Sequence, residues 1–332
     1  VWTALEGTAQ TISSIEITDT ALDDGLRSAL LTYDATTAEG APVGYIVPSA
    51  DLHRALFASL DGDGNVTWIA PAEAEGLSTD SAGITTTLAD GQTLRSALLV
   101  AAEGRRSRLR DAAGIKTTGW GYGQRGIVAI VGFSEPHGGV AIQHFLPGGP
   151  FAILPMRDNR ACITWSAADE EAARVLALDD AGFLSELDQR IGGRFGEITL
   201  RSRPQSWPLD VKIARQFKAT RFALIGDAAH GVHPIAGQGV NLAFRDVAAL
   251  TECLADSARL GFDLGNAEAL ERYERWRRFD TTMSAAAYDG LNRLFSLDSV
   301  LLRAARGAGL GALNRIGALK TLILEETAGL TG

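Results

Sequence analysis

The residues best suited to chemistry lie in one segment of the chain. It contains Gly226-Asp227-Ala228-Ala229-His230, then His233-Pro234, then Gly237-Gln238-Gly239-Val240-Asn241. An apolar run ends at the carboxylate of Asp227, which can accept hydrogen bonds from sugar-like hydroxyls. The glycines lead into a helical pattern, and the free N–H groups and positive dipole end of a helix N-terminus favour negative charge. The segment predicts a site for a ligand with polyol and anionic parts.

A second candidate site begins where the apolar run "LLVAAEG" ends at Glu103-Gly104. Ser107 and Arg110 follow on a helical stretch. The carboxylate can accept hydrogen bonds, and the four arginines between 105 and 110 could offset pyrophosphate charge. A solvated helix face explains the arginines equally well, so both interpretations stay open.

Other motifs in the chain favour structural roles. The letters of Gly121 to Gly126 satisfy GxGxxG, but a dinucleotide fingerprint must open a helix, whereas this one opens the strand "IVAIVGF". It predicts a glycine-rich strand entry. The five histidines show no metal-ligand spacing, and no nucleophile elbow supports hydrolysis. For His230 and His233, structural hydrogen bonding is favoured over acid-base work.

Composition limits the class of protein. The 332 residues are 46% hydrophobic and 21% charged, enough for two lobes with sizeable cores. A net charge of -9 without a long basic tract argues against a nucleic-acid partner. Cys162 and Cys253 lie in apolar runs without ligand spacing, which predicts buried, reduced thiols and no structural metal. Without a signal peptide or a long apolar run, we expect a cytoplasmic protein.

The elements that must position these residues follow from periodicity. Residues 12 to 45 and 126 to 166 predict two antiparallel sheet regions, and "SADLHRALFASL" (49 to 60) predicts a helix. Strands including "NVTWIA" (65 to 70) should follow that helix. Acidic helices should occupy 167 to 191. A buried strand ending at Gly226-Asp227 should precede an amphipathic helix, with helices from Asn266 to the end.

The first candidate segment carries a family resemblance. "LIGDAAHGVHPIAGQGVNLAFRDVAAL" resembles the second FAD motif of p-hydroxybenzoate-hydroxylase-type flavoproteins, in the version shared by ubiquinone-biosynthesis hydroxylases. The resemblance implies that Gly226 and Asp227 serve FAD, the aspartate through its ribityl chain. It implies that Gly237, Gln238, Gly239, Val240 and Asn241 lie against the isoalloxazine ring. Pro234 and His233 would face flavin and substrate.

Two further segments extend the resemblance. "EGRRSRLR" is similar to the family's middle motif, which serves FAD and NAD(P)H, and it implies roles for Glu103, Gly104 and Arg110. Glu103 stands where Asp is usual, and its longer reach makes that role less direct. "GGVAIQHFLPGGPFAILPM" resembles the substrate-domain strands. It makes Phe145, Phe151, Leu154 and Pro155 candidate pocket walls, with a plain sheet core as the alternative.

The resemblance implies a mixed α/β (α+β) fold: a p-hydroxybenzoate-hydroxylase-like FAD-binding fold with an interleaved antiparallel-sheet substrate domain and C-terminal helices. Residues 46–117 and 206–265 would form the FAD-binding domain, 11–45 and 118–205 the substrate domain, and 266–332 the C-terminal helices. The family's N-terminal GxGxxG unit is not among these residues, and Val1 stands where an element is already under way. We therefore expect an upstream segment, and expect residues 1–332 alone to bind FAD poorly.

The implied activity is hydroxylation of a phenolic ring with O2, NAD(P)H and FAD. The implied substrate is a polyprenyl phenol on the route to ubiquinone. Such a tail suggests peripheral contact with the inner membrane through Val300 to Leu324, or a quinone-biosynthesis assembly. Two alternatives stay open: a flavin-free scaffold in such an assembly, and a hydroxylase of a soluble aromatic compound.

Overall fold

A computed structural model describes residues 1–19, 29–37, 40–146, 148–233, 237 and 239–296. The helices are α1 (Trp2–Leu5), α2 (Ser49–Leu60), α3 (Arg108–Ala112), α4 (Asp169–Leu176), α5 (Asp180–Ile191), α6 (Gly239–Arg259) and α7 (Ala267–Ser296). The strands are β1 (Gln10–Thr11), β2 (Ser14–Asp19), β3 (Leu31–Asp34), β4 (Tyr45–Ile46), β5 (Ala74–Thr79), β6 (Ile84–Leu88), β7 (Thr93–Ser96), β8 (Leu99–Ala101), β9 (Thr117–Phe133), β10 (Val140–Leu146), β11 (Gly149–Met156), β12 (Arg160–Ala168), β13 (Ile198–Leu200), β14 (Gln205–Ala214), β15 (Lys218–Ala219), β16 (Phe222–Leu224) and β17 (His230–Gly231).

Internal contacts divide the chain into two compact units. Unit 1 comprises 1–66, 123–208 and 293–332, and unit 2 comprises 67–122 and 209–292. This division differs from the boundary expected at residue 46, since α2 packs on α1 and lies in unit 1. Most of α7, expected in a separate C-terminal layer, belongs to unit 2.

Unit 1 is built on one large sheet. Strands β10, β11, β12 and the unit 1 part of β9 pair antiparallel in that order. Strand β2 pairs in parallel with β10 and antiparallel with β3. The two sheet regions expected from the sequence are therefore one sheet, joined by a pairing between residues more than 120 positions apart, which local periodicity cannot reveal. One face of the sheet packs on α4 and α5, around Phe151, Trp165 and Phe183.

Unit 2 contains two three-stranded sheets and two long helices. One sheet has the order β5-β6-β7 and the other β15-β16-β8. The strand β16 is fully buried, and β8 lies parallel beside it. Helix α6 repeats buried positions every three or four residues, the spacing that places one helix face on a core. The hydrophobic core of unit 2 includes Phe217, Leu250 and Tyr273.

Several local predictions can be checked directly. The helix expected at 49–60 is confirmed as α2. The Gly121 to Gly126 motif lies within β9, which confirms a strand entry rather than a dinucleotide loop. "NVTWIA" is not a strand: Trp68 and Ile69 are about half exposed, so the alternation there has no sheet to bury it. Within the described ranges, no helix is long and apolar enough to cross a membrane. Val300 to Leu324 lie outside those ranges.

Candidate functional site

The two segments singled out by sequence emerge at the same edge of a unit 2 sheet. Strands β8 and β16 run parallel, with Leu224 opposite Ala101. The Ile225 N–H donates to the Ala101 carbonyl at 3.1 Å, just beyond the end of β16. Because the carboxyl ends of parallel strands meet at one edge, the loops that carry Glu103 and Asp227 leave the sheet side by side.

Gly226 makes the turn that follows β16. Its φ of 59° lies in the left-handed region. A Cβ there would also come 3.1 Å from the Cβ of Ala243 on α6, so the tight packing adds to the conformational preference for glycine. The Gly226 N–H donates to Asp246 Oδ2 at 2.8 Å. A short 3-10 turn, Gly226–Ala228, then carries the chain into β17.

Asp227 lies in this turn with its side chain 39% exposed. Its Oδ2 accepts a hydrogen bond from Arg105 Nε at 3.0 Å. Arg105 also donates to the Val232 carbonyl at 2.8 Å, to the Asp210 carbonyl at 3.1 Å and to the Asp210 carboxylate. One guanidinium thus connects the loop after β8, strand β14 and the loop around Asp227.

Glu103 stabilises the start of α3. The Ser107 hydroxyl donates to Glu103 Oε2, and the Leu109 N–H donates to the same oxygen at 3.1 Å. The Ser107 Oγ in turn accepts from the Arg110 N–H at 3.0 Å, as an N-cap does. Gly104 has a φ of 80°, the left-handed value that lets the chain turn between β8 and α3.

Arg110 is almost completely buried, with 1% of its surface exposed. Its Nη1 donates to the carbonyls of Arg105 and Ala228, each at 3.2 Å. Its Nε donates to Asp111 at 3.2 Å. The buried guanidinium therefore links the loop after β8 to the turn that carries Asp227.

A second cluster of charges, buried behind the Asp227 turn, was not foreseen from the sequence. Asp246 on α6 is fully buried and accepts from the Gly226 N–H, from Arg277 Nε at 2.7 Å, and bonds His230 Nε2 at 2.5 Å. Burial opposes the charge on Arg277, but hydrogen bonds to Asp246 and Asp280 outweigh it and raise the pKa of Arg277. An aspartate at core spacing in an amphipathic helix was the available signal.

His233 ends the described part of this loop and is 2% exposed. Within the described chain neither ring nitrogen has a hydrogen-bond partner. The ring meets Tyr122 edge-on at 5.1 Å between centroids, and the Tyr122 hydroxyl donates to Asp289 at 2.9 Å. Burial, together with the charge of Arg105, lowers the pKa of His233 to about 4, and Asp289 opposes the shift. The imidazole is therefore neutral at physiological pH.

The N-terminal turn of α6 follows the loop. Gly239 begins the helix. Val240 is 55% exposed, and Asn241 is exposed as well. A Cβ at Gly237 or Gly239 would meet no atom of the described residues within 4 Å. No acidic residue occupies the first turn. Pro234 and Gln238 lie outside the described residues.

The four substrate-pocket candidates of unit 1 lie on two faces of its sheet. Phe145 is paired with Pro150, which puts it on the same face as Leu154 by strand alternation. Phe151 and Pro155 point to the opposite face, and Phe151 is fully buried in the core beneath α4 and α5. One pocket wall cannot contain all four side chains.

The two cysteines of the described chain lack the features of reactive thiols. Both cysteines are free, and burial raises the pKa of the Cys162 thiol to about 11. Burial also raises the pKa of Cys253. Thiolate chemistry is therefore disfavoured at either position. The described residues contain no group of three His, Cys, Asp or Glu side chains that could hold a metal ion.

The described residues of unit 2 fit FAD. Asp227 offers a partly exposed carboxylate to polyol hydroxyls, and the loop glycines leave room for close backbone approach. The N-terminus of α6, without an acidic residue in its first turn, is suited to the negative charge of a phosphate or of a reduced flavin ring.

Comparisons with known proteins identify relatives over most of the chain. A family model described as an FAD binding domain matches residues 9–282. The ubiquinone hydroxylase UbiL of Rhodospirillum rubrum is 41% identical over 329 residues, which cover 99% of this chain and 75% of that protein. The mitochondrial ubiquinone biosynthesis monooxygenase COQ6 of Mus musculus is 32% identical over 91% of this chain and 72% of its own length.

Solved structures share the fold. The p-nitrophenol 4-monooxygenase PnpA from Pseudomonas putida DLL-E4 matches with a TM-score of 0.80 at 18% identity, over 99% of this chain and 83% of that chain. Klebsiella pneumoniae HpxO, complexed with FAD and uric acid, gives a TM-score of 0.76 at 19% identity, over 98% and 82%. The mixed α/β fold expected from the sequence is thereby confirmed.

Proposed function

This chain belongs to the family of FAD-dependent hydroxylases of ubiquinone biosynthesis and is a flavoprotein monooxygenase, and we propose that it hydroxylates the ring of a polyprenyl phenol with O2 and NAD(P)H. The observation that carries the site assignment is the common sheet edge. There the turn of Asp227, the loop of Glu103 and the N-terminus of α6 form one group within unit 2.

The roles of the chain's own residues follow from their chemistry. The Asp227 carboxylate accepts hydrogen bonds from the ribityl hydroxyls. The N–H groups of Gly239, Val240 and Asn241 offer donors and a positive dipole end to the flavin ring. Glu103, Gly104 and Arg110 set the shape of the neighbouring loop. Bound FAD supplies the oxygen-transfer chemistry, so the protein needs no nucleophile of its own.

Support for the substrate comes from the relatives and from the pocket candidates. UbiL and COQ6 are named for ubiquinone hydroxylation and ubiquinone biosynthesis. Phe145 and Leu154 share a sheet face and are the candidates for walls against an apolar ring. His233, neutral and without a partner among the described residues, is a candidate to bond a ligand oxygen.

The polyprenyl tail adds a requirement for delivery. Because such a tail partitions into lipid, we propose either peripheral contact with a membrane surface or transfer within a quinone-biosynthesis assembly. Flotation of the protein with anionic and with neutral vesicles tests the first route. Protein that stays at the bottom of the gradient with both vesicle types leaves transfer from a partner protein as the route.

Absorbance of the protein purified from its full reading frame tests the cofactor site. We expect the bands of oxidised flavin, and we expect their loss in Asp227→Ala because the polyol acceptor is gone. Reduction by NADH and by NADPH, followed at the flavin bands, identifies the reductant. A colourless wild-type protein that does not take up added FAD would sink the proposal.

Quinone analysis of cells lacking the gene tests the substrate. An under-hydroxylated prenyl phenol should accumulate and disappear on complementation with the wild-type gene. The Asp227→Ala gene should fail to complement, which serves as the matched control. Unchanged quinone levels would show that the substrate is a different aromatic compound.

A further inference from the structure

Arg105 occupies a place in the flavin site that the family assignment leaves without a role. It follows Gly104 directly, and its side chain crosses to the loop around Asp227. Arg106 and Arg108, its neighbours in sequence, are exposed, and Arg108 pairs with Glu73 at 2.6 Å. The arginines between 105 and 110 are therefore not equivalent, although the sequence presents them as one basic run.

All three nitrogens of the planar Arg105 guanidinium donate hydrogen bonds. Nε, Nη1 and Nη2 donate to Asp227, to Asp210 and to the Val232 carbonyl. A planar fork can make such divergent bonds at once, whereas a lysine ammonium cannot.

The absence of a side chain at Gly231 leaves space for the Arg105 guanidinium. A Cβ at position 231 would lie 3.0 Å from Arg105 Cζ and 3.1 Å from its Nε. Gly231 is not among the glycines with positive φ, so its missing side chain provides space rather than conformational freedom. An alanine Cβ there would require the Arg105 guanidinium to move by a few tenths of an ångström, and a bulkier side chain would require a larger movement.

The contact with Asp227 uses one carboxylate oxygen. Arg105 binds Oδ2, and no described residue donates to Oδ1. The side chain of Asp227 keeps 39% of its surface exposed, so Oδ1 remains available to a ligand. The arginine also separates the charges of Asp227 and Asp210, which both accept from it.

We propose that Arg105 is a positioning residue for the ribityl chain of the flavin, holding Asp227 by Oδ2 so that Oδ1 accepts a polyol hydroxyl. The inference rests on the proposed function, since it takes Asp227 as the polyol-binding carboxylate. The competing role is general attraction of the pyrophosphate, which any of the neighbouring arginines could supply.

Flavin titrations separate these roles, because riboflavin has the ribityl chain without the phosphates. Full-length protein is stripped of flavin, and the dissociation constants of FAD and riboflavin are measured by flavin fluorescence. Arg105→Gln should weaken both ligands by roughly ten- to a hundredfold, the range for hydrogen bonds to a charged group. Arg105→Lys should not restore binding, since it keeps the charge and loses the fork. Arg108→Gln is the matched control and should bind both ligands as the wild type does.

Two further variants test whether the position of the guanidinium and its contact with Asp227 are what matters. Gly231→Ala keeps the arginine but forces its guanidinium to move, so it should weaken both ligands by less than Arg105→Gln does, and it also covers the case in which Arg105→Gln does not fold. In the double variant, adding Arg105→Gln to Asp227→Asn should raise the dissociation constants by less than about twofold, because the effects of coupled residues are not additive.

Three results would overturn the inference: a loss confined to FAD, restoration by Arg105→Lys, or additive effects of the two variants. If Asp227→Asn binds both ligands normally, the cofactor site of the proposed function is wrong. If Asp227→Asn is impaired and Arg105→Gln is not, only the role of Arg105 is wrong.

Discussion

Two groups of charges hold the same loop of unit 2, and they differ in exposure. Behind the loop, Asp246, Arg277 and His230 are each at most 3% exposed. In front, the side chains of Arg105, Asp210 and Asp227 keep about a third or more of their surface, at 32%, 40% and 39%.

The difference in exposure indicates that the two groups have different roles, one in stability and the other in ligand binding. In the buried group both oxygens of Asp246 are engaged, one by Arg277 and the other by Gly226 and His230. It holds the turn, but its burial keeps it from direct contact with a ligand in solution. In the front group, Asp227 Oδ1 accepts no hydrogen bond from a described residue, and the side chain is partly exposed to solvent. The buried group should therefore govern folding, and the front group should govern the cofactor.

The largest effect is expected from Asp246→Asn. The substitution removes one of the two carboxylates that pair with the buried Arg277 and leaves only the less buried Asp280, and breaking a buried ion pair typically costs about 3–5 kcal/mol. Urea unfolding followed by tryptophan fluorescence should show this loss in the free energy of unfolding.

Asp256→Asn is the matched control on the same helix, since Asp256 forms exposed pairs with Arg259 and Arg272. Its unfolding midpoint should stay close to that of the wild type. If the two variants unfold alike, burial does not distinguish the two groups of charges and the comparison fails.

A smaller effect, dependent on pH, is expected from His233. Its pKa is lowered to about 4, below the ordinary value of 6.5, so the unfolded chain binds the proton more tightly. The stabilising contribution is complete above pH 6.5 and is lost as the pH falls towards 4. The loss should reach about 3 kcal/mol.

His233→Gln removes the titrating ring and provides the reference for this measurement. The difference in unfolding free energy between wild type and variant should fall steadily between pH 6.5 and pH 4. The groups around the ring, Arg105, Asp289 and Tyr122, are the same in both proteins. A flat difference over this interval would mean that the imidazole is not held neutral by burial.

Sequence was a good guide where structure is local. The strand before Gly226, helix α6 and the glycines of the turn follow from short patterns of apolar and small residues. The parallel pairing of β2 with β10 does not, because it joins distant segments without a local signal. The exposed alternation around Trp68 was misleading for the same reason, since a strand needs a partner that the pattern cannot supply.

The site divides in the same way. Asp227 could be predicted as a site residue from the sequence because its chemistry and its place at a strand end coincide, and that role stays a prediction. Arg105 could not be separated from the arginines beside it, since its selection depends on the space above Gly231. The pocket candidates Phe145 and Phe151 stand six residues apart across a turn, and only the strand register shows that they face opposite sides.

The smallest effect on stability is expected from Asp227→Asn, and it tests the front group most directly. The pair with Arg105 is over a third exposed at the aspartate, so its loss should cost less than about 1 kcal/mol of unfolding free energy. Arg105 keeps its bonds to Asp210 and Val232 in this variant, which should preserve the loop. Unfolding in urea, measured without flavin, should therefore nearly coincide with the wild type, although flavin binding is impaired. A loss approaching that of Asp246→Asn would show that the front group also supports the fold, because an aspartate that served mainly the ligand would not be needed by the empty protein.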